Sequence, residues 1–509
     1  MLRLRIFIGL IVGLIFCQAL QGQLPRYKQW ENIYGTAKND IASRLHDLGD
    51  GTYAASGWVD PDNRQPDYGH WFTFAPNGDE LKSGLGSVWK MSTTLSGGLI
   101  FGFDAKCQQN QEQYFTDIKL VSTNDSGDIA WSRCLGSEGN EVLINMFNLS
   151  NGHVLIFGMN SHNDLSGDYK ENYGGRDVWV VMLNDSGDII WEQNYGGSGD
   201  DMLHACSKFG DKYVMLIRSD SEDYDFLGSH AETKYGLLTI DESGVIHSKA
   251  FTYNNIVVRT YRNDFVILND SILVMSGNIY GSSNTLPGHH NPPGDYGSDA
   301  SISKINFING EVQFAKLFGG EGYDMFERIQ QKSNGNLVLG GTTRSFDGDL
   351  SGRQPEDSEV WLVEMDTAGN IIDQFFPDMG GSGGGYIDFL LNEQDEIILL
   401  SENNNKDAFP EHYGQFDHEL PRDYYIFKLG YTPVGITENT ISTGFTLYPN
   451  PNSTGLLHSS QKGNYILRDL QGRRIKEFYN SKSLDLSQIQ SGTYIVQDQN
   501  GASQRVVLQ

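Results

Sequence analysis

Apolar positions along residues 25–436 fall in runs of about four to eight, each closed by Gly, Asn, Asp or Ser. One unit is plain. Asp177 opens an apolar run to Leu183, Asn184-Asp185-Ser186-Gly187 supplies a tight turn, and Asp188 to Trp191 starts a second strand. A Gly-rich link, Tyr195-Gly196-Gly197-Ser198-Gly199-Asp200-Asp201, follows. Asn, Asp and Gly tolerate the positive φ of short hairpins, so the pattern predicts strand, turn, strand, link. The turn glycine recurs as Gly78, Gly127, Gly187, Gly244, Gly310 and Gly369, at intervals of 49 to 66 residues. The fourth residue after it is often aromatic, as at Trp131, Trp191 and Phe314.

Two further strands fit between successive links, for example Glu141–Phe147 and His153–Met159. Four strands per unit is the composition of a propeller blade. Runs such as Val154–Phe157 and Glu396–Leu400 lack alternation, which implies burial on both faces. No stretch holds a helical period. The predicted fold is all-β: a seven-bladed β-propeller over 25–436, then a small immunoglobulin-like β-sandwich. The seventh unit has the strand Asp423–Leu429 but no hairpin partner after it. Gln29–Gly35 matches Ile190–Gly196 position for position, so the N-terminal strand 28–35 should complete that blade. Six or eight blades is the alternative count, because the fourth and fifth units are irregular.

The chain ends differently. Residues 437–444 read as a linker. Beyond them stand Leu447-Tyr448-Pro449-Asn450-Pro451, Asp469-Leu470-Gln471-Gly472-Arg473, Leu484-Asp485-Leu486-Ser487 and Ser491-Gly492-Thr493-Tyr494-Ile495-Val496, closing at Gln509. These ordered motifs resemble the type A C-terminal sorting domain of the type IX secretion system of Bacteroidetes, over residues 445–509. Where that family often has Lys before its final strand, Gln504-Arg505 stands here. The resemblance implies the type IX machinery as a partner, with Tyr448, Pro449, Asn450, Pro451, Gly472, Gly492 and Tyr494 belonging to the sorting signal. It also implies passage through the periplasm to a secreted or outer-membrane surface-attached location. The repeats resemble blades common in such cargo, which implies fold more than activity.

Residues 1–22, with Arg3, Arg5 and an apolar run from Ile6 to Phe16, read as a signal peptide. Phe16 stands where a lipid-anchor motif centred on Cys17 needs a small residue. No later run is long enough to cross a membrane. The net charge of −28 disfavours a nucleic-acid partner. Cys107, Cys134 and Cys206 are odd in number and irregular in spacing, which fits buried thiols better than a disulfide framework. A Cys107–Cys134 bridge is the alternative.

Candidate chemistry is sparse. Asp125–Trp131 and Asp185–Trp191 are one residue too long for an Asp box. Oxygen-rich loops carry Asp223, Asp225, Asp347 and Asp349; calcium could use them, although local turns explain them as well, and no cofactor is required. Acids recurring once per blade (Asp117, Asp177, Glu359 and Asp423; Asp40, Glu141, Asp201 and Asp324) read as architecture, since a site needs asymmetry. Two irregular loops are better pointers: His289, His290, Asp295 and Tyr296 in the fifth unit, and Glu411, His412, Tyr413 and His418 in the seventh. The expectation is a binding module with a glycan or surface-protein ligand. The alternative is a polysaccharide lyase or glycoside hydrolase working in those loops.

Overall fold

The computed structural model describes residues 24–34, 40–59, 69–86, 88–107, 116–160, 167–229, 234–253, 264–280, 286, 288–290, 297–351, 359–379, 388–403, 423–431, 447–448, 455–468, 474–490, 492–498 and 503–508. The chain divides into a compact unit that ends at Leu429 and a second of Gly430–Gln509 with Tyr27–Gln29.

The hairpins form as their residues dictate. In the third blade the Asn184 amide oxygen accepts the N–H groups of Ser186 and Asp188 at 2.9 and 2.8 Å. Gly187 takes a φ of +82°, which its lack of a Cβ makes inexpensive. Repetition of this device yields seven four-stranded antiparallel sheets among the described residues. Their innermost strands, in chain order, are Asp40–Asp47, Lys90–Thr93, Val142–Asn148, Asp201–Phe209, Asp264–Ile267, Asp324–Gln331 and Asp388–Leu391. Each touches the next, and the last touches the first, so they close a ring. The seventh sheet is completed by Tyr27–Tyr34, paired beside Asp423–Gly430.

The core lies between blades. Val178–Leu183 and Leu337–Thr343 bury every residue, as strands packed on both faces must. Each blade interface has an apolar cluster; that between the third and fourth joins Phe157 and Val180 to Tyr213 and Met215. An aromatic residue on the outer strand of one blade covers the turn glycine of the next. Trp30 lies over Gly78, Trp131 over Gly187, Trp191 over Gly244 and Phe314 over Gly369. The Trp131 indole N–H also donates to the Asp185 carbonyl at 2.9 Å. This explains why an aromatic recurs four residues after several of the turn glycines.

The cysteine expectation needs correction. Cys107 and Cys134 form a disulfide, with Cα atoms 6.2 Å apart, and among the described residues Cys206 is the free thiol, buried. Cys134 is the penultimate residue of the outer strand Ile129–Leu135, and Cys107 lies two residues past the strand Leu99–Ala105 of the same sheet. The blade's folding therefore supplies a proximity that their separation of 27 residues does not show.

The C-terminal unit is β-sandwich-like. Leu456–Arg468 pairs with Leu447–Tyr448, Arg474–Asp485 and Gly492–Asp498, and the last of these pairs with Ser503–Leu508. Leu457, Tyr465, Leu467, Phe478, Leu484 and Val496 build its core.

Candidate functional site

The recurring acids hold the Gly-rich links. Asp201 accepts the Gly197 N–H and the Ser221 hydroxyl, each at 2.7 Å. Asp324 does the same for Gly320 and Ser345 at 2.8 and 2.7 Å. Glu141 takes the Ser137 N–H and hydroxyl. These carboxyls are buried, and burial is the main cause that pushes Glu141 and Asp177 up to about 7. Neighbouring acids, Asp117 for Glu141 and Asp201 for Asp177, push the same way.

The oxygen-rich loops clamp the same links from the other side. Asp223 accepts from Ser198 at 2.7 Å and Asp225 from Gly196 at 3.3 Å. Asp347 accepts from Glu321 at 2.9 Å and Asp349 from Gly319 at 3.1 Å. Among the described residues no three His, Cys, Asp or Glu side chains converge as a metal site.

His289 and His290 both turn to the buried Asp299, with His289 Nδ1 2.7 Å from its Oδ2. His290 Nδ1 is 3.4 Å from Asp299, and its Nε2 lies 3.9 Å from Asp349. The pair thus joins the fifth-unit loop to the oxygen-rich loop that carries Asp349. Asp295, Tyr296, Glu411, His412, Tyr413 and His418 lie outside the described residues, as do Pro449, Asn450, Pro451 and Gly472. Tyr448 is half exposed on its short strand, and Gly492 and Tyr494 share the strand Gly492–Asp498.

Two features were not among the sequence candidates. Tyr224 and Gly348 hold the same place in the loops Asp223–Phe226 and Asp347–Leu350, each in a single 3₁₀ turn. Gly348 has a φ of +56°, and Tyr224 adopts +45°. A bulky residue there costs about 1–2 kcal/mol. Tyr224 is 59 % exposed and stacks on Tyr173 at 4.6 Å, forming an aromatic platform.

The second feature follows from strand register. Arg44, Lys90, Asn145, Ala205, Asp264, Arg328 and Asp388 occupy one equivalent position on the seven inner strands, opposite Ser56, Gly102, Phe157, Leu216, Ser276, Gly340 and Leu400. A one-residue bulge precedes this position in the first, third, fourth and sixth blades. Arg328 bridges its neighbours, reaching Asp388 at 2.5 Å and Asp264 at 3.2 Å. Asp388 also accepts the Leu45 N–H of the next blade at 2.8 Å, and Asn145 donates to the Cys206 carbonyl at 3.1 Å. The ring is therefore axial and unequal in charge around its circuit.

A cleft of about 410 Å³ lies at the hairpin-turn end of the fifth and sixth blades, lined by residues including Asn269, Lys304, Gln331 and Asp366. Its Lys304 ammonium is already donated to the Thr367 carbonyl at 3.0 Å.

The segment 446–509 matches the family described as secretion system C-terminal sorting domain. Residues 446–509 are a sorting domain. The chain is thus a type IX secretion cargo with a propeller-like fold, destined for export to a secreted or cell-surface location. Among the described residues no helix is long and apolar enough to cross a membrane. No curated protein matches the chain. Among solved structures, the polysaccharide lyase Uly1 is similar at 8 % identity and a TM-score of 0.43, covering 81 % of this chain and 93 % of its own. The endosialidase of phage phi92 is similar at 8 % identity and 0.40, covering 94 % and 88 %. The β-propeller domain of the Trilobed protease from Pyrococcus furiosus is similar at 11 % identity and 0.38, covering 77 % and 96 %. Likenesses this remote bear on neither ligand nor chemistry.

Proposed function

We propose that this cargo is a binding module whose propeller holds a glycan on the Tyr173–Tyr224 platform. The observation that supports it is the tyrosine at a positive φ, where the equivalent loop has glycine. Folding alone favours glycine at that position, whereas an exposed ring offers a flat apolar face to the C–H face of a sugar. The acids nearby are engaged by backbone N–H groups and serve the scaffold. A lyase or hydrolase would look to the His289–Asp299 pair, but the free His289 Nε2 is buried and out of reach of a substrate. A surface protein is the second ligand class.

The test is a glycan array probed with the signal-less chain, residues 23–509, in calcium and in chelator. Selective binding by the natural protein and its loss in Tyr224→Gly would support the platform. Loss under chelator would make Asp223, Asp225, Asp347 and Asp349 calcium ligands as well. A blank array in both conditions overturns the glycan reading and directs the search to surface proteins.

A further inference from the structure

The axial ring carries a second message, independent of the tyrosine platform. Three of its members are cations and two are anions, and both anions are spent on one cation, Arg328. Arg44 and Lys90 are left over. They stand on adjacent blades, and among the described residues neither side chain makes a hydrogen bond or an ion pair. The Lys90 ammonium is within electrostatic reach of Arg44 on the first blade, Cys206 on the fourth, Arg328 on the sixth and Asp388 on the seventh. Only a group near the axis can feel four other blades at once. Two uncompensated cations on neighbouring inner strands, each half-buried, repel each other and lose part of their solvation. In a chain whose net charge is −28, acids to pair with them are plentiful elsewhere on the surface.

We propose that Arg44 and Lys90 form an axial seat for an oxyanion, a carboxylate or sulfate group entering along the propeller axis. The guanidinium presents a planar fork to two oxygens, and the ammonium supplies a point charge beside it. Burial first, then Arg44 and Arg328, pushes Lys90 down to about 7. Among the described residues, other titratable groups lie near these two cations. His46 is held well below its usual value by burial and the same cations, so it stays neutral. Asp104, on the second strand of the Lys90 blade, is pushed up to about 7 by burial and accepts the Leu143 N–H at 2.9 Å. Cys206 is pushed up to about 12 and stays a thiol. Asp264 and Asp388 remain tied to Arg328. An anion in the seat therefore favours charged Lys90, and affinity should fall as pH rises through about 7.

The experiment is calorimetric titration of the signal-less chain with sodium glucuronate and, separately, with inorganic sulfate, at pH 6 and pH 8. At least one should bind at pH 6, and the two arms separate a carboxylate from a sulfate ligand. Lys90→Met and Arg44→Gln should each weaken binding about tenfold or more, as loss of a charge-assisted contact does. Lys90→Arg should restore it and abolish the weakening at pH 8. Lys82→Met, on an exposed outer strand, should change nothing. Thermal unfolding of each variant verifies that it is folded. Tyr224→Gly should keep the anion response, so failure of either reading leaves the other testable. Absence of binding by either anion, full binding by Lys90→Met, or a Lys90→Arg profile identical to the natural one overturns the proposal.

Discussion

The aromatic cover over the turn glycines can be tested by comparing two positions that differ in that respect alone. Gly127 and Gly187 end the same turn in successive blades, with φ of +88° and +82°. An added Cβ at Gly127 meets nothing within 4 Å, because the preceding outer strand has Lys82 where four of the other strands have Trp30, Trp131, Trp191 and Phe314. At Gly187 the same Cβ lies 2.7 Å from Trp131 Cε3 and 2.9 Å from Cδ2. Gly→Ala at either site incurs about 1–2 kcal/mol for the positive φ, partly offset by about 0.4–1 kcal/mol from the stiffer unfolded chain. Gly127→Ala should therefore cost about 1 kcal/mol. Gly187→Ala must also push the indole back by about 0.8 Å to reach ordinary carbon contact. That strains the hydrogen bond to Asp185 and unpacks the ring, adding about 2 kcal/mol. Urea unfolding of residues 23–509, followed by tryptophan fluorescence, reads the difference. Trp131→Leu in the Gly187→Ala background should bring the cost of the alanine close to that at Gly127. Equal costs for the two glycines, or no relief from Trp131→Leu, would refute the idea that these rings latch one blade to the next.

Three further outcomes follow from the same scaffold. Glu141 and Asp177 have folded pKa values near 7, above their ordinary 4.5 and 3.8, so the folded state binds more protons between pH 4 and 7. Stability from these groups is full below that window and is lost as pH rises through it; the melting temperature should fall from pH 5 to pH 7, and Asp177→Asn should flatten the slope. Reducing the Cys107–Cys134 bridge, which spans 27 residues, should cost about 3.5 kcal/mol, read as a lower urea midpoint for Cys134→Ser. Removing residues 24–34 takes away the strand beside Asp423–Gly430, together with the stacking of Tyr34 on Phe72 at 4.3 Å and the Trp30 bond to the Pro76 carbonyl. The bared strand edge should make that truncation aggregate and become protease-sensitive, whereas a stable, soluble product would contradict the closure.

Local chemistry explains what was legible. A turn such as Asn184–Gly187 and a doubly buried run such as Val178–Leu183 write their conformation in adjacent residues, so strands, repeat and fold class could be read directly. The closing strand was legible because Gln29–Gly35 aligns without a gap with Ile190–Gly196 and shares its Trp, Glu, Tyr and Gly. The role of the acids as link holders was visible in their recurrence. The Cys107–Cys134 bridge was not, because proximity across a sheet depends on register that two isolated cysteines do not announce.

The axial ring escaped for a related reason, and its escape bears on where function sits in a repeat protein. Repetition draws attention to what recurs, here Gly, Asp and the aromatic covers, and all of these are consumed by the scaffold. Arg44, Lys90, Asp264, Arg328 and Asp388 share a position yet not an identity, and bulges before Arg44 and Arg328 shift the count from the link. A signal was nonetheless present. Leu48, Thr94, Leu149, Leu268, Lys332 and Asn392 each donate their N–H to close the first hairpin of a blade, and the ring residue stands four positions before each of them. Counting back from the turn crosses no bulge, whereas counting forward from the link does. Positions equivalent in place and unequal in charge are where a seven-fold scaffold can afford a single ligand. By that criterion the axis and the one tyrosine in a glycine's place are the residues whose replacement should change binding while sparing the fold.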